Sequence, residues 1–193
     1  MIGQRFAWAH FPKTGGDTTY HLFAVVKGLV VQADEPRSPA KHARFPERAE
    51  DVRGKLLVMN TRRLPAWCLS YAHHRIRDTG GRGPVDPRAV AAIVDEIRPD
   101  GKLRGFTGDG LFPVDRWLRT EHLVDDFLDF AASVGNVSGR ARRRAIAIAP
   151  ANTNRYERSW ERWFTPAQLG ELYERNPLWA AVERAVYGDL VTL

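Results

Sequence analysis

The chain has 193 residues, a formal charge of +6 and one cysteine, Cys68. That length supports one sizeable core and leaves little room for two, so a single domain over residues 1–193 is expected, and one cysteine excludes an intramolecular disulfide. No apolar run approaches membrane-spanning length, and Met1-Ile2-Gly3-Gln4-Arg5 leads into a strand-like segment without a signal-peptide pattern. A cytoplasmic protein with no membrane span is therefore expected, and its basic charge suits an anionic partner without naming one.

The first β-like run, residues 5–10, delivers the chain to His10-Phe11-Pro12-Lys13-Thr14-Gly15-Gly16-Asp17-Thr18-Thr19. Two glycines allow a tight turn and close backbone approach to a ligand, and the hydroxyls of Thr18 and Thr19 are expected to open a helix. The composition is that of an anion-binding loop; a Gly-Gly turn with a solvated lysine is the plainer alternative. A nucleotide-triphosphate loop reads G-x-x-x-x-G-K-[ST], whereas here Lys13 precedes the glycines and no other segment supplies G-K-[ST].

Further β-like runs fall at 29–32, 55–60, 114–118 and 145–149, bounded by glycine, proline and polar clusters. Between them, Arg62 and Ser70 flank a strand-to-helix passage in which Cys68 reads as a small buried residue. Val90, Ile93, Val94 and Ile97 recur at helical spacing after Pro87 and end before Pro99. Thr120 is placed as an N-cap for a helix whose apolar face is Leu123, Val124, Phe127, Leu128, Ala131 and Val134. Arg140, Arg142, Arg143 and Arg144 read as part of an exposed loop, and 80–84 and 98–110 as surface connections.

Thr165-Pro166-Ala167-Gln168 combines a capping box with proline at the first helical position, and a last helix is expected over 178–187. Strands alternating with helices argue for an α/β fold: a mainly parallel central sheet flanked by helices, with ligands gathering at the carboxyl ends of strands. The loop at 12–19 sits at such an end and gives the fold a P-loop-like nucleotide-binding core. His73 and His74 point about 100° apart on a helix and have no obvious further ligands, so no metal site is expected.

The lysine-first Pro12-Lys13-Thr14-Gly15-Gly16 resembles the 5′-phosphosulfate loop of sulfotransferases that use 3′-phosphoadenosine 5′-phosphosulfate (PAPS), especially the carbohydrate-modifying branch. The run from Leu57 to Tyr71 resembles that family's R-N-P-x-x-R-x-x-S element, with Arg62 and Ser70 eight positions apart as in the pair that holds the 3′-phosphate. Trp117 to Phe127 looks like its R-x-E-x-L-x-x-D-F segment, and 156–189 like its closing segment. The resemblance implies that Pro12, Lys13, Thr14, Gly15, Gly16, Asp17, Thr18 and Thr19 bind the 5′-phosphosulfate, and that Arg62 and Ser70 bind the 3′-phosphate. Lys13 would stabilise the leaving phosphate, with 3′-phosphoadenosine 5′-phosphate (PAP) as product and no metal required.

Histidine suits the general base that an acceptor hydroxyl needs near neutral pH. His42 lies where several carbohydrate sulfotransferases place a histidine after the second strand and is the first choice; His10, which precedes the loop, is read as stabilising its turn, and Asp34, Glu35 and Glu121 are the carboxylate alternatives. The acceptor would be a saccharide or small metabolite, held by variable loops at 34–51, 77–88 and 102–115, and no nucleic acid is expected.

Departures from the family pattern are Asp17, a carboxylate beside a polyanion that must point away or meet an arginine, and Arg63, Leu64 and Trp67 in the second motif. Trp67 and Tyr71 at helical spacing read as core rather than as a base stack. The competing readings are a nucleotide-binding but inactive sulfotransferase-like protein, a small-molecule kinase with a degenerate loop, and a basic module binding polyanions or nucleic acid through Arg140 to Arg144.

Overall fold

The computed structural model describes residues 1–35, 38–81, 85–151, 153 and 156–193. Arg82, Gly83 and Pro84 of the expected 80–84 connection lie outside them, as do residues 36 and 37 of the 34–51 loop. The chain divides into two compact units, each built from two stretches of sequence: 1–61 with 104–152, and 62–103 with 153–193.

The first unit holds a five-stranded sheet in the order β3-β1-β2-β4-β5. Its strands are β1 (Ile2–Gly3), β2 (Phe6–Ala9), β3 (Val30–Gln32), β4 (Leu56–Thr61) and β5 (Arg116–Arg119). β2, β4 and β5 run parallel, with Phe6 opposite Leu56 and Val58 opposite Arg116, while β1 is antiparallel to both β2 and β3. The sheet is therefore mixed. The expectation of a mainly parallel sheet holds for its β2-β4-β5 half; the short β1, only two residues long, completes the antiparallel edge and is too brief to leave a periodic signature.

Helices α1 (Gly16–Val25) and α6 (Leu123–Val134) and the basic α7 (Gly139–Ile146) pack against one another in this unit. Their shared core is aromatic: Phe6 stacks on Phe23 at 5.5 Å, and Phe130 and Phe127 meet the pair edge-on at 5.0 and 4.9 Å. Such edge-to-face contacts add about 0.5–1.5 kcal/mol per pair to area burial. A short helix, α2 (Ala49–Val52), precedes β4.

Two expectations fail in this region. Residues 145–149 do not form a strand: Ser138 accepts a hydrogen bond from Ala141 N–H and opens α7, which runs through Ala145 and Ile146. The arginine cluster is thus helical, with Ala145 fully buried beside it, while Ala147 and Ala149 of the expected strand lie beyond the end of α7 and are exposed.

The second unit is helical: α3 (Leu64–Asp78), α4 (Pro87–Glu96), the start of α5 (Pro99–Thr107), α8 (Pro166–Glu174) and α9 (Pro177–Tyr187). The capping box is present as expected, Thr165 Oγ1 accepting from Gln168 N–H and the Gln168 side chain accepting from Thr165 N–H. α5 corrects the reading of 98–110 as a surface connection. Leu103 and Phe106 are buried, and the Asp100 carboxylate accepts from Leu178 N–H and Trp179 N–H at 2.8 Å each, capping α9. Among the described residues no helix is long and apolar enough to cross a membrane.

Candidate anion-binding site

The loop at 11–16 leaves the carboxyl end of β2 and enters the N-terminus of α1. Lys13 and Gly15 both have positive φ, 66° and 81°. For glycine that conformation is free, but for lysine it is a local strain that surrounding contacts must hold. α1 opens at Gly16 with Gly15 as its N-cap, correcting the expectation that Thr18 and Thr19 open it; a glycine cap brings no side chain to the N–H groups of the first turn.

Contacts from three strand ends hold the loop. Thr14 is fully buried and its hydroxyl donates to Phe11 O at 2.7 Å. Asn60, fully buried near the end of β4, donates through Nδ2 to Thr14 O (2.9 Å) and to Thr19 Oγ1 (2.8 Å) and accepts from Trp8 Nε1 through Oδ1 (2.7 Å). The amide orientation is dictated by its partners, because an indole N–H only donates and a carbonyl only accepts. Just beyond β5, the Thr120 hydroxyl lies 2.9 Å from Thr14 O and 2.8 Å from Thr61 O. Thr120 is thus part of this clasp rather than the expected N-cap; residues 120–122 form a 3-10 turn and α6 begins at Leu123.

His10 forms the floor. Its ring stacks on Trp8 at 5.4 Å and lies so close to Gly16 that a Cβ there would stand 2.0 Å from Cδ2 and Nε2. Gly16 is needed for this approach, whereas Gly15 is needed for its backbone angle. Burial, helped by the neighbouring His42 and by Lys41, lowers the His10 pKa to about 3, so the imidazole is neutral at any physiological pH. Its Nδ1 is buried with no hydrogen-bond partner among the described residues.

His42 is exposed, at the end of a 3-10 turn, Pro39–His42. Its ring lies 4.5 Å from that of His10, and its Nδ1 lies 3.0 Å from His10 O. A carbonyl oxygen can only accept, so Nδ1 carries the proton and Nε2 is left as the basic nitrogen. Asp17, in the first turn of α1, meets not an arginine but Lys41, with which it forms an ion pair. Asp34 is buried and bound by Arg48 at 2.5 Å, a structural engagement that sets it apart from the exposed Glu35 as a base.

Arg119 and Asp126 of the third motif engage each other: Arg119 donates from Nη2 (2.7 Å), Nε (2.9 Å) and its backbone N–H (2.8 Å) to the Asp126 carboxylate. Burial alone would push that carboxyl up, but these hydrogen bonds outweigh it and hold it below the usual range. This pair ties β5 to α6 and thereby sets Thr120.

In the second unit, Arg62 is partly buried with Nη2 3.5 Å from Tyr156 Oη, and its carbonyl accepts from Trp179 Nε1 at 3.1 Å. Ser70 is buried on α3. Arg63, a departure from the family pattern, donates to Glu183 (3.1 Å) and Asp189 (2.6 Å) and lies 4.2 Å from the Tyr187 ring. Glu183, fully buried, also accepts from Leu64 N–H (2.7 Å) and Tyr173 Oη (2.8 Å), so it caps α3 from α9. Trp67 is fully buried against Tyr71 and Trp179, which assigns it to the core. Cys68 is buried, and desolvation raises its thiol pKa well above the ordinary value.

The structure thus brings residues 12–19 and His42 together within one unit, while Arg62 and Ser70 belong to the other. Sequence reasoning missed Asn60, Thr120 in its clasping role, and Lys41. Asn60 alone carried a signal: a polar residue ending an otherwise apolar strand. Among the described residues no group of three or more His, Cys, Asp or Glu side chains is placed to hold a metal ion. Comparison with known proteins finds no matching protein-family model, no matching curated protein and no matching solved structure.

Proposed function

We propose that the chain is a PAPS-dependent sulfotransferase acting on a hydroxyl of a saccharide or small metabolite. The observation that carries this reading is the lysine-first loop, held at positive φ at Lys13 and Gly15 between the carboxyl end of β2 and the N-terminus of α1. A helix N-terminus without a side-chain cap offers N–H groups and a favourable dipole to an anion. The residues present fit a phosphosulfate: the close seat of Gly16 on His10 keeps the loop free of a Cβ, and the one carboxylate in the first turn is neutralised by Lys41.

PAPS supplies a sulfuryl group that passes in line to the acceptor oxygen, with PAP as leaving group. Lys13 would supply a compact ammonium to the negative charge that gathers on the leaving phosphate. His42 receives the acceptor's proton at Nε2, the nitrogen left basic by the hydrogen bond to His10 O. The resemblance assigns the 3′-phosphate to Arg62 and Ser70, a guanidinium and a hydroxyl, the pairing a dianion favours.

A thermal-shift titration tests the reading. PAP at a hundredfold excess over its dissociation constant adds about 2.7 kcal/mol of stability. Wild type is expected to shift with PAP but not with ATP and magnesium, and Lys13→Ala to lose both the shift and transfer from PAPS. The exposed arginines of α7 favour polyanion binding as a second reading. That reading predicts stabilisation by heparin that falls steeply with salt and is untouched by Lys13→Ala.

A further inference from the structure

We propose that Asp17 and Lys41 form a positioning latch that holds the Pro39–His42 turn against the anion loop and thereby fixes which nitrogen of His42 is basic; this rests on the sulfotransferase reading for its catalytic meaning. Asp17 is out of place in a loop built for a polyanion, and its partnership explains it. The Lys41 ammonium is largely buried, its side chain 18% exposed, and besides pairing with Asp17 it stands 5.8 Å from the ring centroid of Tyr20 on the same helix. Both contacts draw the turn onto α1.

The latch acts one residue from the base. With Lys41 pinned to α1, the adjacent His42 reaches back to His10 O, the carbonyl of the residue that floors the loop. Ser38 caps the turn by accepting from Ala40 N–H, and Arg48 Nη2 holds its far side through Ala40 O at 3.1 Å. Among the described residues, the charged or titratable groups beside His42 are the neutral His10 ring and Lys41, with Asp17 behind it; Arg44, two residues on, pairs with Glu47 at 3.7 Å. A solvated neutral imidazole favours the Nε2–H form; only the bond to His10 O selects Nδ1–H here. Loosening the turn would release His42 to the ordinary tautomer.

Long-range ¹H–¹⁵N spectra of the labelled, ligand-free protein, recorded well above the ordinary histidine pKa, read the tautomer without any catalysis. Wild type is expected to show His42 with Nδ1 protonated. Asp17→Asn and Lys41→Met are expected to convert it to the Nε2–H form, and Lys41→Arg, which keeps the ion pair, to retain the wild-type signature. In transfer assays with PAPS the two disrupting variants should lose at least tenfold in kcat, with the KM for PAPS changed less, and Lys41→Arg should recover most of the loss.

An Nε2–H signature in wild type overturns the latch, as does an unchanged tautomer in folded Asp17→Asn and Lys41→Met. If Asp17→Asn fails to fold, Lys41→Met decides alone. A tautomer that responds as expected in a wild-type protein that neither binds PAP nor transfers sulfate upholds the latch and defeats the sulfotransferase reading.

Discussion

Replacing Asn60 with alanine tests whether the loop at 11–16 is held from the sheet. Asn60 is fully buried and bonds three partners from β2, the loop and α1. The losses are unequal. Thr14 O keeps Thr120 as a donor and the Thr19 hydroxyl keeps its bond to Gly15 O at 3.3 Å, but the Trp8 indole N–H, on a residue 2% exposed, is left without an acceptor. An unsatisfied buried donor costs about 1–3 kcal/mol, and each hydrogen bond lost with partial compensation about 0.5–1.5 kcal/mol. The sum is about 2–6 kcal/mol. Urea unfolding should show this as a lower midpoint with an unchanged slope. Asn60→Asp should be harsher at neutral pH, because it turns a carboxylate oxygen towards Thr14 O in a dry site. Burial should raise that carboxyl's pKa, so the deficit of Asn60→Asp should shrink as pH falls and the proton returns a donor. A loss below about 0.5 kcal/mol in Asn60→Ala, or an Asn60→Asp as stable as wild type at neutral pH, would refute the clasp.

Gly16→Ala should cost about 1–3 kcal/mol, since its Cβ would stand 2.0 Å from a His10 ring wedged against Trp8, whereas Gly170→Ala in α8, where nothing lies within 4 Å, should be neutral or stabilising by up to about 1 kcal/mol; equal melting temperatures for the two would contradict this. His10 has a folded pKa of about 3 against an ordinary 6.5, so the unfolded chain binds the extra proton between those values. The stability from keeping it neutral is complete above 6.5 and falls as pH drops through the window, by roughly 5 kcal/mol in all. Urea titrations at stepped pH should show that acid limb, and His10→Phe should flatten it; parallel limbs would rule His10 out. Glu183→Ala strips α3 of its cap and leaves Tyr173 Oη and Arg63 short of an acceptor, an expected loss of about 3–5 kcal/mol measurable by chemical denaturation; a loss near 1 kcal/mol would mean that Asp189 and water replace it.

The α/β class, the loop at 12–19, the capping box at Thr165 and the helices after Asp86 and before Tyr187 were legible in the sequence, because each rests on local chemistry: glycine angles, a threonine hydroxyl, apolar residues at a period of 3.6. What failed were patterns whose meaning depends on distant partners. The run at 145–149 reads as β, yet α7, opened by Ser138, continues through Ile146 and buries Ala145. Thr120 had the right residue type for a cap, yet the carbonyls of Thr14 and Thr61, 106 and 59 residues away in sequence, claimed its hydroxyl. Asp17 read as a defect until Lys41, 24 positions on, came to meet it. The sequence by itself thus determined that a lysine-first Gly-Gly loop follows the β-like run at 5–10. Tertiary structure alone decided what holds that loop rigid and which histidine nitrogen is basic, because hydrogen bonds and ion pairs between strand ends follow from chain folding in space and leave no periodic trace along the chain.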